Sequence, residues 1–254
     1  MITMKDTSTK QKTTTLLIDG DIVAYRIAAG VETAQEWAED RWTVTADLRE
    51  AKQLFENQIS KWLKDTGTKG TVLTFSERRT FRHDLSSGYK ANRKGKAKPI
   101  ILSPLVKWAI EDHKGKTMRG LEADDIMGVL SGPKSIIVSA DKDLRTVPGL
   151  HLDLKTNEVI TVTEDEANRT LFMQALTGDA VDGYAGLRGV GPKNAERLLG
   201  DAVTEEELWE KVCEAYTTKG STEEEALLSL RLARILRPGE YDQKTGTPKL
   251  WSPA

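Results

Sequence analysis

The chain has 254 residues, 38% of them hydrophobic, with 37 Lys or Arg against 39 Asp or Glu and a formal net charge of −2. That is long enough to bury one substantial core, or a core with a smaller appendage, and the balance is that of a globular protein, not a disordered one. No apolar run approaches the roughly 18 residues needed to cross a bilayer, so no membrane association is expected. Cys213 is the single cysteine, which rules out an internal disulfide and fits a reducing compartment. Residues 1–13 lack the apolar stretch of a signal peptide and read as a flexible polar tail. The near-neutral total hides an asymmetry. Residues 77–119 carry twelve Lys or Arg against four acids, whereas 201–225 carry nine acids and two bases. A local basic stripe is an electrostatic footprint for nucleic acid whatever the net charge.

In chain order, residues 14–19 (TTLLID) read as a first strand ending at its acid. Residues 47–64 set Leu48, Ala51, Phe55, Ile59, Trp62 and Leu63 at helical spacing, and the helix closes near Gly67. Residues 71–75 form a second short strand. Residues 82–99 have no apolar periodicity and many cations, and read as a basic loop or arch. Ser103 and Pro104 suit the N-cap and first turn of the next helix. A helix over 122–130 and a buried strand over 135–139 follow, and 151–154 with 159–162 make either a hairpin or two edge strands. From Thr163 the pattern is helical, with capping boxes at Thr163/Glu166, Thr204/Glu207 and Thr222/Glu225. Strands alternating with helices, then a run of helices, predict an α/β fold: a mainly parallel sheet core over 14–162 and a helical part over 163–254.

The chemistry is carried by eight carboxylates in four clusters: Asp19; Glu122, Asp124 and Asp125; Asp141 and Asp143; Asp179 and Asp182. Singly, each cluster has an ordinary explanation. Acids favour helix N-termini through the macrodipole, and Asp-Lys-Asp after a strand is good turn chemistry. Together they are harder to dismiss, because strand ends in an open α/β sheet converge on one crevice. Carboxylates crowded there repel one another unless hard cations such as Mg²⁺ neutralise them. The pattern predicts a two-metal phosphodiesterase site.

Two further segments suit nucleic acid. Gly189-Val190-Gly191-Pro192-Lys193 allows a tight turn into a helix, whose backbone N–H groups could grip a phosphate, with Lys193 adding charge. In Gly88-Tyr89-Lys90-Ala91-Asn92-Arg93-Lys94, a tyrosine among cations could stack on a base or clamp a phosphate, although such a run can also be a solvated loop.

YKANR, EADD, SADKD and GDAVDG…GVGPKNA, in that order between about residues 16 and 199, resemble the 5′-nuclease family of flap endonucleases and 5′→3′ exonucleases, especially its phage and bacterial branch. The resemblance implies a resolvase-like (PIN-like) core, a helical arch or mobile loop around 89–93, and a helix-three-turn-helix at about 178–199. It implies that the eight acids hold two Mg²⁺ ions, with Mn²⁺ as a substitute. Lys90 and Arg93 would bind and activate the scissile phosphate. Tyr89, Lys94, Gly189, Val190, Gly191 and Lys193 would hold DNA, with K⁺ at the helix-three-turn-helix. The sequence departs from the family at Glu77, where many members place an Asp: either Glu77 ligates with a longer reach, or that ligand is missing. The expected enzyme is a monomeric, structure-specific 5′→3′ exonuclease or flap endonuclease acting on DNA with 5′ ends, flaps or junctions, RNA–DNA hybrids included. A PIN-like ribonuclease is a rival that the phosphate-gripping turn disfavours. A non-catalytic DNA-junction binder is another, disfavoured because a pure binder gains nothing from carboxylates beside phosphate.

Overall fold

The computed structural model describes residues 15–93 and 95–253; the 1–13 tail and Lys94 lie outside the described residues. The first half runs β1 (Thr15–Asp19), α1 (Gly20–Gly30), β2 (Thr33–Ala38), β3 (Arg41–Thr45), α2 (Leu48–Thr66), β4 (Gly70–Thr74), α3 (Phe81–Leu85) and α4 (Leu102–Asp112). Then come α5 (Ala123–Leu130), β5 (Ser135–Val138), β6 (Gly149–Asp153) and β7 (Glu158–Val162). The helices α6 (Glu164–Thr177), α7 (Pro192–Leu199), α8 (Glu205–Thr218) and α9 (Glu223–Ala233) follow, and a short hairpin, β8 (Tyr241–Asp242) and β9 (Thr247–Pro248), comes last.

The sheet order is β4-β1-β5-β6-β7, parallel except for the antiparallel edge strand β7. Leu16, Leu17 and Ile18 are all buried, as a central parallel strand covered on both faces requires. On one face Leu16 and Ile18 pack with Val23, Phe55, Trp62, Leu73 and Leu105 from α1, α2, β4 and α4. On the other, Leu17 and Ile137 meet Met127 of α5 and Ile235 beyond α9. Gly20 is dictated by close approach: a Cβ there would sit 2.4 Å from the Phe75 ring and 2.8 Å from the Thr74 carbonyl oxygen. The second core lies among α6 to α9, with Leu171, Phe172, Leu176, Leu208, Val212, Tyr216 and Leu230 buried.

The three predicted capping boxes are present. Asp47 caps α2, which ends on Gly67 in the left-handed region. The open choice at 151–162 resolves as a hairpin. Ser103 is not an N-cap: α4 begins at Leu102 behind Ile101, with no side-chain cap. The β2–β3 hairpin was not anticipated, because every residue in it is exposed and it therefore has no one-sided apolar alternation to read. The basic stretch is also less open than its composition suggests. Residues 95–98 are exposed, but Arg82 in α3 and Tyr89 are each only 2% exposed.

Candidate active site

Parallel strands deliver their C-terminal ends to one edge of the sheet, where α1 and α5 also begin. A cavity of about 260 Å³ opens there, lined by Asp19, Asp21, Glu122, Asp124, Asp141, Asp143 and Asp182, with Arg82, Tyr89, Lys90 and Arg93 among its other walls. Seven carboxylates thus surround one small space.

Asp19 ends β1 and caps α1, accepting from the Ile22 N–H at 2.9 Å, while the Ser139 hydroxyl donates to its other oxygen at 3.1 Å. Burial, reinforced by the charges of Asp21 and Asp141, raises its pKa to about 7. Asp21 was missed in the sequence. It sits in the first turn of α1, accepts from the Ser76 N–H at 2.8 Å, and is raised by burial. The available signal was its spacing, since Asp19-Gly20-Asp21 repeats the two-residue step of Asp141 and Asp143. Asp124, in the first turn of α5, is raised well above the carboxylate range by burial and by Asp19, Asp141 and Glu122. Its buried Oδ1 has no hydrogen-bond partner among the described residues. Asp143 is pushed to about 6 by burial and by Asp141 and Asp179, and the Gln174 side chain donates to it at 2.7 Å.

The cationic wall is held by carboxylates. Lys90 Nζ donates to Glu122 Oε1 at 2.6 Å, and Arg93 donates to Asp182 at 2.6 Å. The Tyr89 hydroxyl reaches Glu122 Oε2 at 2.9 Å and Asp182 at 3.0 Å. Burial alone would raise the Glu122 carboxyl, but Arg82 and Lys90 outweigh it and hold the group low. Burial pushes the Tyr89 phenol far above its ordinary value, so the hydroxyl remains a donor. The backbone fixes this wall too. Lys90 is in the left-handed region, and its N–H donates to the Asp182 carbonyl at 2.8 Å. Gly183 allows this docking: a Cβ there would lie 2.6 Å from the Gly88 carbonyl oxygen.

Five expectations need correction. Asp125 does not face the cavity: it is fully buried, and both its oxygens accept from Arg82, at 2.7 and 2.8 Å. Glu77 is exposed and does not line the cavity, and its carboxylate accepts from the Gly120 N–H at 2.9 Å. Its neighbour Ser76 lines the cavity instead. Tyr89 cannot stack on a base while its ring is buried. The Val190 N–H is not free for a phosphate, since it donates to the Leu187 carbonyl at 3.0 Å and the side chain packs in the helical core. Asp179 also lies off the cavity lining, folding its own turn by accepting from the Val181 and Asp182 N–H groups at 2.6 and 3.2 Å, although its charge reaches Asp143. In the same helical part, Gly189 has φ +73°, Gly191 caps α7 ahead of Pro192, and Lys193 is exposed.

Among the described residues no three acids, histidines or cysteines are gathered into a finished metal cage. The donor set nevertheless suits a hard divalent cation, which keeps several waters and needs only one or two direct carboxylates. The orphaned oxygen of Asp124, amid carboxyls that burial and mutual repulsion keep high, is what such a cation would relieve.

This combination defines a resolvase-like α/β protein with an acidic crevice at its parallel strand ends and a helical part closing one side. Residues 14–171 match the family model of the 5′-3′ exonuclease N-terminal resolvase-like domain, and the chain belongs to that family. It is 29% identical to the exonuclease of Escherichia phage T7 over 94% of this chain and 93% of that protein. It is 30% identical to the exodeoxyribonuclease of Enterobacteria phage T3 over 94% of this chain and 92% of that one. In fold it is similar to the bacteriophage T5 flap endonuclease solved with DNA and metal ions, with a TM-score of 0.65, 16% identity, and coverage of 87% of this chain and 89% of that one.

Proposed function

We propose that this protein is a divalent-metal-dependent 5′→3′ exonuclease and flap endonuclease that hydrolyses DNA phosphodiesters with two Mg²⁺ ions, Mn²⁺ being able to replace them. The observation that carries the reading is Asp124: a buried carboxylate oxygen without a hydrogen-bond partner among the described residues, in one cavity with Asp19, Asp141 and Lys90, whose charges all act on it. Asp19, Asp21, Asp124, Asp141 and Asp143 would hold the metals, with Asp179 and Asp182 at the margin. Bound there, divalent ions would offset carboxylate repulsion and stabilise charge on the attacking and leaving oxygens. Ser139 and Gln174 hold Asp19 and Asp143 in place. Lys90 and Arg93, now engaged by Glu122 and Asp182, would turn to the scissile phosphate as it enters, adding fixed positive charge where negative charge develops. The backbone at Gly189 and Gly191, with Lys193, would hold the duplex through phosphates. The T5 relative was solved with both DNA and metal ions, in keeping with this reading. A monomer in the bacterial cytoplasm, its one cysteine reduced, completes the proposal.

The test is cleavage of 5′-labelled flap, blunt duplex and RNA–DNA hybrid in Mg²⁺, Mn²⁺ or EDTA. Release of short 5′ products from the DNA substrates, abolished by EDTA, is expected. Undiminished cleavage in EDTA would remove the metal assignment, and cleavage of RNA alone would favour a ribonuclease.

A further inference from the structure

The turn before α7 has most of its carbonyl groups occupied. The Leu187 carbonyl accepts from the Val190 N–H at 3.0 Å, and that of Gly191 accepts from the Asn194 and Ala195 N–H groups, both at 3.0 Å. The Arg188 carbonyl accepts from the ammonium of Lys219, 31 residues further on, at 2.9 Å. Among the described residues, leaving aside the glycine and its two chain neighbours, the same Nζ is the one heavy atom within 4 Å of where a Cβ on Gly189 would sit, at 3.7 Å. Lys219 does not arrive there on a loose tether. It is the C-cap of α8, its own N–H donates to the Tyr216 carbonyl at 3.1 Å, and Gly220 turns the chain immediately after it with φ +78°.

We propose that Lys219 is a built-in monovalent cation of the duplex-gripping turn, standing where a free K⁺ would otherwise be recruited. The inference rests on the duplex-binding role given above to Gly189–Lys193. A free K⁺ replaces its hydration shell with several oxygens, as carbonyl rings do in ion filters. Here Arg188 already offers its carbonyl to an ammonium, and a second cation beside that ammonium meets like charge. The residues therefore do not fit a bound K⁺, contrary to the sequence expectation. A tethered cation also costs no association entropy at binding, because the fold has already placed it. Duplex affinity should then depend on ionic strength but not on which monovalent cation supplies it.

The test measures duplex DNA binding by fluorescence anisotropy in EDTA, which prevents cleavage, in KCl, NaCl or tetramethylammonium chloride at equal ionic strength. Wild type, Lys219→Ala and Lys219→Arg are compared, with thermal melting to show that each is folded. Wild type should have one Kd in all three salts. Lys219→Ala should bind about tenfold more weakly in Na⁺ and tetramethylammonium, with a salt slope lower by about one unit, and should recover in K⁺ as the freed Arg188 carbonyl, together with neighbouring carbonyls of the turn and water, takes the ion. Lys219→Arg should stay insensitive to the cation, and it carries the test if the alanine variant does not fold. Tighter wild-type binding in K⁺ than in Na⁺ overturns the proposal. So does an alanine variant that loses nothing, or one that loses equally in every salt and is thereby an ordinary phosphate contact. A wild type that binds no duplex in any salt refutes the duplex-binding reading itself, and this inference with it.

Discussion

Arg82 and Asp125 face one another as a two-bond ion pair in which neither side chain is more than 2% exposed: NH1 donates to Oδ2 at 2.7 Å and NH2 to Oδ1 at 2.8 Å. The same guanidinium donates to the Leu232 and Arg234 carbonyls beyond the middle of α9, and the Leu236 N–H donates to Asp125. The pair therefore ties α3, α5 and the C-terminal segment together, and Arg82 also donates to Glu122, the acid that holds Lys90, at 3.3 Å.

Breaking a buried pair by removing one partner costs about 3–5 kcal/mol, because the survivor is left charged and dry. Asp125→Ala should therefore lower unfolding free energy in urea by that order. The double variant Arg82→Met/Asp125→Leu should be less damaged than either single change. An Asp125→Ala protein with wild-type stability and no cleavage would instead return Asp125 to the metal ligands.

Asp124→Asn should have the opposite signature. It removes a carboxyl whose ionisation burial and the charges of Asp19, Asp141 and Glu122 oppose more than Lys90 favours, so at alkaline pH, where that ionisation is forced, melting in EDTA should occur at a higher temperature than in wild type. Cleavage should fall by at least about 10²-fold, the scale of losing one fixed electrostatic element of a transition state. If melting fell and cleavage persisted, the orphaned oxygen of Asp124 would have to be satisfied in some other way.

The raised carboxyls give the pH dependence a sign. Asp19 at about 7 and Asp143 at about 6 both lie above their ordinary value of 3.8. Groups raised by folding contribute stability that is present at low pH and lost as pH climbs through the folded values. Metal-free protein should lose that contribution between about pH 4 and 7, from the ordinary value up to the folded ones, and divalent metal should restore it. The melting-temperature gain on adding Mg²⁺ should accordingly be larger at pH 8 than at pH 5.5. His151, lowered by burial, acts in the opposite sense as pH falls below its ordinary 6.5, but it cancels when metal-bound and metal-free protein are compared at one pH. A gain that shrinks with rising pH would mean that these carboxyls do not meet the metal.

Glu77→Gln should cleave at nearly the wild-type rate in Mg²⁺. Its carboxylate is exposed and engaged by Gly120, so only a hydrogen bond worth about 1 kcal/mol is altered. A loss of orders of magnitude would show that the strand end moves to bring Glu77 into the crevice.

What the sequence disclosed follows the reach of local rules. Strand ends, capping boxes and the αL glycine at 67 depend on neighbours within a few residues, and were legible. The exposed β2–β3 hairpin was not, because a strand that buries neither face leaves no period. Asp125 and Asp124 are adjacent in sequence and opposite in role: a helix turns successive side chains by about 100°, and only the fold shows which one meets Arg82. Asp21 was hidden because an acid in a helix's first turn already has a sufficient local explanation. Arg82 read as one more cation in a basic run, since charge density says nothing about which member the core will claim.

Tyr89 separates two accounts of the basic segment. A tyrosine that stacks on a base acts through its ring, so Tyr89→Phe would keep function and Tyr89→Leu would weaken DNA binding. The buried hydroxyl that bridges Glu122 and Asp182 predicts otherwise. Tyr89→Phe removes the donor both acids share and leaves buried acceptors short of a partner, at a cost of about 1–3 kcal/mol. Glu122 and Asp182 also hold Lys90 and Arg93, so the loss should misplace the two cations and lower the single-turnover rate on bound substrate, with little change in duplex Kd. Lys90→Ala should lower the same rate further, by about 10²–10³-fold. Single-turnover kinetics with saturating enzyme, set beside anisotropy in EDTA, separates rate from affinity. A Tyr89→Phe enzyme with unaltered rate and a Tyr89→Leu enzyme that fails only in binding would mean that the ring leaves the core to meet DNA.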